Sequence, residues 1–317
     1  MSPKDSFVRV IEVGLRDGLQ NEKTTLSVED RHELAKRLAT AGSRELELGA
    51  FVSPKWVPQM SGSEKLIASV VSDRNKKGSV FKKARLSALV PNLKGLEAAV
   101  ATGVERIAIF ASASETFSQK NINCSIKESF IRYRAVVDEA HRRGLSVRGY
   151  LSMCFGCPFE GNVSEKKVLK YASQLAELGC DEVSIGDTIG VADPKQVTRL
   201  GRALKAELGR NAMAMHFHDT RGTALANILA SLEIGLRSFD SSLGGLGGCP
   251  YAPAATGNVA TEDVVYMLHR MGFKTGLDLE KLIETARWLQ PKMNRELPSK
   301  VSRAGLSFKM GTNIATL

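Results

Sequence analysis

Five cysteines in 317 residues are too few, and of the wrong parity, for a disulfide scaffold. Cys154 and Cys157 have the spacing of redox and zinc motifs, but no second Cys-X-X-Cys completes a zinc ribbon. Pro158 and Gly161 follow them in a loop-like stretch, where a thioredoxin-type motif would open a helix, so both cysteines are read as packing residues at a strand end. No apolar run approaches the roughly 20 residues that cross a bilayer, which excludes a helical membrane anchor within this sequence. The first residues carry neither a secretory apolar core nor an Arg-rich amphipathic presequence, and a cytoplasmic location is expected. Aromatic residues are scarce, at 6%, and offer no stacking platform for single-stranded nucleic acid. No Gly-X-Gly-X-X-Gly turn follows the first strand-like run, which counts against a doubly wound dinucleotide fold.

What is present is basic and globular. A formal charge of +10 invites a nucleic-acid-binding reading. The basic residues are scattered, however, in pairs such as Lys82-Lys83, Arg142-Arg143 and Lys166-Lys167, as solvated helix faces require. Neither nucleic acid nor membrane is expected as a partner. A basic surface also suits a polyanionic, cofactor-linked substrate.

Strand-like runs at 7–13, 44–48, 85–90, 106–111, 146–152, 182–186, 212–218 and 238–242 alternate with amphipathic helical segments such as 28–41, 93–101, 126–143, 165–178, 194–208 and 223–234. Gly42, Gly103, Gly144, Gly179 and Gly235 close five of these helices, where a left-handed C-terminal residue is expected. Eight strand–helix pairs with no linker or composition break predict a single (β/α)8 TIM barrel over 1–317. The residues from about 278 to 317 are expected to form a helical segment and a polar tail packed outside it. A doubly wound sheet is the alternative.

Active sites of such barrels collect at the C-terminal ends of the strands. The chemically unusual residues fall there: Arg16, Asp17, Glu47, Asp187, His216, His218 and the glycine-rich loop that ends at Cys249. On the seventh strand Ala212, Ala214, His216 and His218 share one face, and the bulky Met213, Met215 and Phe217 share the other. The small-then-His face is therefore expected to line the lumen. A bare His-X-His is as readily a hydrogen-bonded buried pair as a metal site. Asp17 tips the balance, because closure brings the first strand beside the eighth and near the seventh. Asn258 can add an amide oxygen. Two nitrogens and two oxygens without a thiolate favour Mg²⁺ or Mn²⁺ over structural zinc.

Arg16 alone reads as a turn ion pair; in a metal cleft its guanidinium can bind a substrate carbonyl and stabilise developing negative charge. Glu47 and Asp187 are read as acids that orient a ligand, with Asp187 also a candidate base. Cys249, on a hinged loop, can approach a substrate as a general acid. Metal, fixed cation and mobile thiol together suggest carbon–carbon bond cleavage through an enolate.

At Arg16-Asp17-Gly18-Leu19-Gln20-Asn21-Glu22, Phe51-Val52-Ser53-Pro54-Lys55-Trp56-Val57-Pro58-Gln59-Met60, Lys120-Asn121-Ile122-Asn123-Cys124-Ser125, Gly186-Asp187-Thr188-Ile189-Gly190, His216-Phe217-His218-Asp219-Thr220 and the Cys249 loop, the chain resembles the 3-hydroxy-3-methylglutaryl-CoA lyase family. These are metal-dependent barrel lyases with an Arg-Asp pair on the first strand, and the resemblance covers nearly the whole chain. It implies a pyruvate-carboxyltransferase-like barrel that splits the acyl-CoA substrate to acetyl-CoA and acetoacetate, as in leucine degradation and ketone-body formation. It assigns the metal to Asp17, His216, His218 and Asn258, substrate carbonyl binding to Arg16, and the catalytic acid to Cys249. Glu47, Asp187 and Glu262 take supporting places. Leu15, Ala50 and Arg221 depart from the family pattern, where proline, serine and tyrosine are familiar. A related synthase or aldolase acting on a similar 3-hydroxy acyl-CoA is the alternative, and a homo-oligomer, a dimer first, is the expected assembly.

Overall fold

The computed structural model describes residues 6–249 and 252–306. Eight parallel strands close a barrel in sequence order: β1 (Arg9–Glu12), β2 (Glu45–Ala50), β3 (Arg85–Leu89), β4 (Arg106–Ser112), β5 (Ser146–Ser152), β6 (Glu182–Asp187), β7 (Met213–Phe217) and β8 (Ser238–Ser241). Helices surround them: α1 (Val28–Thr40), α2 (Ser63–Arg74), α3 (Leu93–Ala101), α4 (Glu115–Ile122), α5 (Ile126–Arg142), α6 (Glu165–Leu178), α7 (Pro194–Leu208), α8 (Ala224–Glu233) and α9 (Thr261–Arg270). The expected (β/α)8 barrel is the observed one. Three helices were not singled out from sequence, α2, α4 and α9, and the C-terminal segment holds two helices rather than one, α10 (Leu279–Met293) and α11 (Lys300–Ala304).

Local chemistry explains the elements. Ser27, Asn92, Ser125 and Asp193 accept backbone N–H bonds at the starts of α1, α3, α5 and α7, where four donors would otherwise lack partners. The five helix-closing glycines all have positive φ, from 77° to 109°. Outside the barrel, α10 lies on α1, with the Arg37 guanidinium 4.7 Å from the Trp288 ring centre and Lys292 Nζ 2.7 Å from Asp30. Asp263 of α9 holds α11 by accepting from Ser299 Oγ and from the amides of Lys300 and Val301.

The strands partition their side chains sharply. Val10, Leu46, Leu86, Ile107, Val147, Val183, Met213, Met215 and Phe239 join one apolar core between barrel and helices, whereas the lumen contributes a small separate cluster of Ile11, Val13 and Ala214. Barrel interiors are more often packed with branched aliphatic layers. Here a charged layer occupies the floor: Glu45 of β2 pairs with Arg9 and Arg106 at 3.0 Å each, and Glu182 of β6 pairs with Arg9, Arg106 and Arg148. Such charges are tolerated because each carboxylate faces at least two guanidinium groups. The layer hands over to the mouth through Arg148, which reaches Asp240 of β8 at 2.6 Å.

Candidate metal centre and active site

Above β1 the chain makes one π-helical turn, Gly14–Gly18, instead of a simple loop. Such turns are rare and gather at functional sites. This one requires close approach: a Cβ at Gly18 would lie 2.5 Å from Ser242 Oγ and 2.9 Å from Leu246 Cβ. The turn aims Arg16 and Asp17 into the mouth. His216 sits on β7, and His218 follows just past its end, bridged to Asn258.

The Asp17 Oδ2 atom lies 3.7 Å from His216 Nε2 and 3.8 Å from His218 Nε2. These separations are too long for hydrogen bonds and match the roughly 3–4 Å between two ligands of one ion bound at about 2.1 Å. Among the described residues, Asp17, His216 and His218 are the one cluster of three or more His, Cys, Asp or Glu donors within 4.8 Å of one another. One carboxylate and two imidazoles fit a divalent cation, and the expected pairing is thus found in space. Asn258 lies beside them, donating through Nδ2 to Asp17 Oδ2 at 2.9 Å and to the Leu246 carbonyl at 3.3 Å. To act as an oxygen ligand its amide must turn over, exchanging Oδ1 for Nδ2.

Electrostatics keep Asp17 ionised. Burial pushes its carboxyl up, but Arg16 and the two imidazoles more than offset that and hold it well below the usual carboxylate range. The Arg16 Nη1 and Nη2 atoms reach Asp17 Oδ1 at 2.5 Å and Glu47 Oε2 at 3.0 Å. Glu47 Oε2 also accepts from the Tyr150 hydroxyl at 2.7 Å, while Oε1 is buried with no partner. The Tyr150 ring carries two guanidinium groups, Arg16 at 4.9 Å and Arg148 at 4.8 Å. Arg16 is thus held by a carboxylate on each side and by an aromatic face.

The glycine-rich loop is anchored by three carboxylates. Glu12 accepts from the amides of Gly14 and Leu243, Glu262 from Gly244, and Glu22 from Gly247. Burial raises Glu12 to about 7 and Glu262 to about 8. Glu22 also binds Arg295, and the Ser299 amide donates to the Gly244 carbonyl, so the C-terminal segment braces the loop base. Beyond Gly247, whose φ is +119°, the chain forms a ribbon of Gly248–Cys249 paired with Ala252–Thr256. The Cys249 backbone ends the first strand of this ribbon; its side chain lies outside the described residues.

Asp187 occupies a more modest post. Its two oxygens accept from the amides of Val191 and Ala192 at 2.9 and 3.0 Å, which shapes the loop after β6. Burial raises its carboxyl despite these bonds. Cys154 and Cys157 are buried, bonded to the Leu151 carbonyl and the Ser114 hydroxyl, in keeping with packing. Sequence reasoning missed Tyr150, Arg148, Asp240, Glu12 and the anchoring bond of Glu22. The available signal was their alternation: Arg148 and Tyr150 share a face of β5, as His216 and Ala214 do on β7.

A parallel barrel with a carboxylate and two imidazoles gathered at its C-terminal mouth defines a metal-dependent barrel enzyme. The chain belongs to the HMGL-like family, whose model matches residues 7–289. It is 48% identical over 300 residues to a 3-hydroxy-3-isohexenylglutaryl-CoA/hydroxy-methylglutaryl-CoA lyase of Pseudomonas aeruginosa, covering 95% of this chain and 97% of the relative. The crystal structure of a P. aeruginosa hydroxymethylglutaryl-CoA lyase matches with 47% identity and a TM-score of 0.89, over 94% of this chain and 97% of the other. An Acinetobacter baumannii HMG-CoA lyase, solved with coenzyme A and 3-methylmalate, matches with 34% identity and a TM-score of 0.90, over 98% and 99%.

Proposed function

We propose that this protein is a metal-dependent carbon–carbon lyase that cleaves 3-hydroxy-3-methylglutaryl-CoA to acetyl-CoA and acetoacetate. The observation that carries the reading is the meeting of Asp17, His216 and His218 at the barrel mouth beside a restrained arginine. The relatives named above, over nearly the full chain, support it.

Asp17, His216, His218 and Asn258 would hold a divalent ion, Mg²⁺ or Mn²⁺, which when bound polarises substrate oxygens and lowers the cost of losing the hydroxyl proton. The chain's own groups do the rest. Loss of the C3 hydroxyl proton lets the C2–C3 bond break; its electron pair becomes the thioester enolate, and C3 becomes the ketone of acetoacetate. Arg16, already fixed by Asp17 and Glu47, is positioned to stabilise the enolate oxygen without reorganising. Glu47, with an unpartnered Oε1, is better suited than Asp187 to receive the hydroxyl proton, since both Asp187 oxygens already accept amides. Cys249, carried by the ribbon beyond the anchored glycines, donates a proton to the enolate carbon to give acetyl-CoA.

The substrate's CoA portion is polyanionic and suits the basic chain, and one relative was solved with coenzyme A bound. Purified protein, Mg²⁺ or Mn²⁺ and 3-hydroxy-3-methylglutaryl-CoA should yield acetoacetate and acetyl-CoA in equal amounts. No acetoacetate, with consumption of acetyl-CoA and a 2-oxo acid instead, would move the assignment to a synthase.

A further inference from the structure

The two imidazoles at the centre are not equivalent. His218 has a buried Nδ1 with no partner, whereas His216 Nδ1 faces Asp240 Oδ2 at 3.1 Å. Asp240 stands directly across from His216 in the β7–β8 register and is 2% exposed. Its other bonds leave it no freedom. Oδ1 accepts from Arg148 Nη2 at 2.6 Å, and Oδ2 accepts from Ser184 Oγ at 2.9 Å. Arg148 is fixed in turn by Glu182 at 2.7 Å.

We propose that Asp240 is a positioning residue of the metal centre, accepting a hydrogen bond from His216 Nδ1–H so that the Nε2 lone pair faces Asp17 and the ion. The proposal rests on the metal reading above. An imidazole that gives its proton to a carboxylate at Nδ1 has its tautomer and ring plane set, and is a better ligand at Nε2. The Arg148 and Ser184 donors keep the carboxylate in the plane that receives the ring. Through Arg148 the charged floor of the barrel thus braces one metal ligand, while His218, whose Nδ1 has no hydrogen-bond partner, is the less constrained one.

Asp240→Asn is the informative variant, because its shape is unchanged and its orientation is dictated. The Arg148 guanidinium keeps the amide oxygen on its side, so the NH₂ group faces His216 Nδ1. That nitrogen must then accept, the proton moves to Nε2, and the lone pair needed by the metal is lost.

Mn²⁺ titration of the metal-stripped full chain should therefore weaken by about 10- to 100-fold in Asp240→Asn. Imidazole ¹⁵N spectra at pH 9 should show His216 as the Nδ1–H tautomer in the wild type and as Nε2–H in the variant. A merely structural role for Asp240 would not switch the tautomer. Mn²⁺ affinity within twofold of wild type in a folded Asp240→Asn protein overturns the proposal. A wild-type His216 found as Nε2–H overturns it whether or not the variant folds. Failure of the wild type to bind Mn²⁺ would instead sink the underlying metal reading, while the tautomer spectrum still reports on Asp240 itself.

Discussion

The floor and the mouth of this barrel are both built from buried charge, but they are finished differently. On the floor, Glu45 and Glu182 each meet two or three guanidinium groups, so every carboxylate is neutralised by neighbours in the same layer. At the mouth, Asp17 meets one guanidinium and two imidazoles at separations that leave room for an ion, and Glu47 Oε1 and His218 Nδ1 have no partner. Fully paired carboxylates make a scaffold; a carboxylate and an imidazole left with a free atom make a site. Buried carboxylates and guanidinium groups serve both ends of one lumen, and what separates the ends is whether the carboxylates' bonding capacity is used up.

That contrast predicts that changes at the mouth cost turnover and changes on the floor cost stability. The largest effect is expected for Asp17→Ala, which removes the carboxylate shared by both imidazoles. Loss of metal polarisation, worth several kcal/mol, corresponds to about a 10⁴-fold fall in kcat/KM. Steady-state assays should find it with little change in melting temperature. Retention of a tenth of wild-type activity would remove Asp17 from the centre.

Cys249→Ala comes next. Turnover should fall by about 10²–10⁴-fold while Mn²⁺ affinity stays near wild type, as for a lost proton donor. Parallel weakening of metal binding would mean that the thiol acts on the centre rather than on the substrate.

Glu182→Gln inverts the pattern. It leaves Arg106 and Arg148 facing an uncharged amide in a dry layer, and breaking a buried pair of this kind costs about 3–5 kcal/mol. Urea unfolding should register the loss, with Mn²⁺ affinity of the folded fraction falling far less than in Asp240→Asn, because Arg148 keeps its direct bond to Asp240. A stable variant with weakened metal binding would merge the two regions that the comparison separates.

The smallest effect is a pH dependence of stability. Glu12 and Glu262 have carboxyls raised by burial to about 7 and about 8, so the folded protein holds protons that the unfolded chain releases near 4.5. Their contribution is fully present below about pH 4.5 and is lost as pH rises through 7 and 8. Asp17 and Asp240 are both shifted down and stay ionised across this window. Unfolding midpoints should therefore decline from pH 5 to 8.5, and Glu262→Gln should flatten the upper part of that slope. A midpoint that climbs over the same range would contradict the burial assigned to these groups.

The scaffold was legible in the sequence because its signals are local. Alternation of short apolar runs with amphipathic segments gave the barrel, and Gly42, Gly103, Gly144, Gly179 and Gly235 marked five helix ends. The lumen face of β7 followed from period two: Ala214 joins the interior cluster while Met213, Met215 and Phe217 face the helices. The candidate site was half legible. Asp17, His216 and His218 could be gathered by barrel closure alone. The π-helical turn could not be foreseen, since nothing in the spacing of Gly14, Leu15 and Gly18 distinguishes it from a simple loop. Asp240 was hidden because its partner is set by the β7–β8 register, a non-local property. Glu12 and Glu22 were hidden for a similar reason: they bind backbone amides 231 and 225 residues away, and a backbone amide leaves no trace in a sequence pattern.

The most direct trial of the whole account is chelation followed by readdition of one divalent ion, with acetoacetate release from 3-hydroxy-3-methylglutaryl-CoA as the readout. Activity should vanish with the metal and return at about one Mn²⁺ or Mg²⁺ per chain. Full activity in a verified metal-free protein would contradict it.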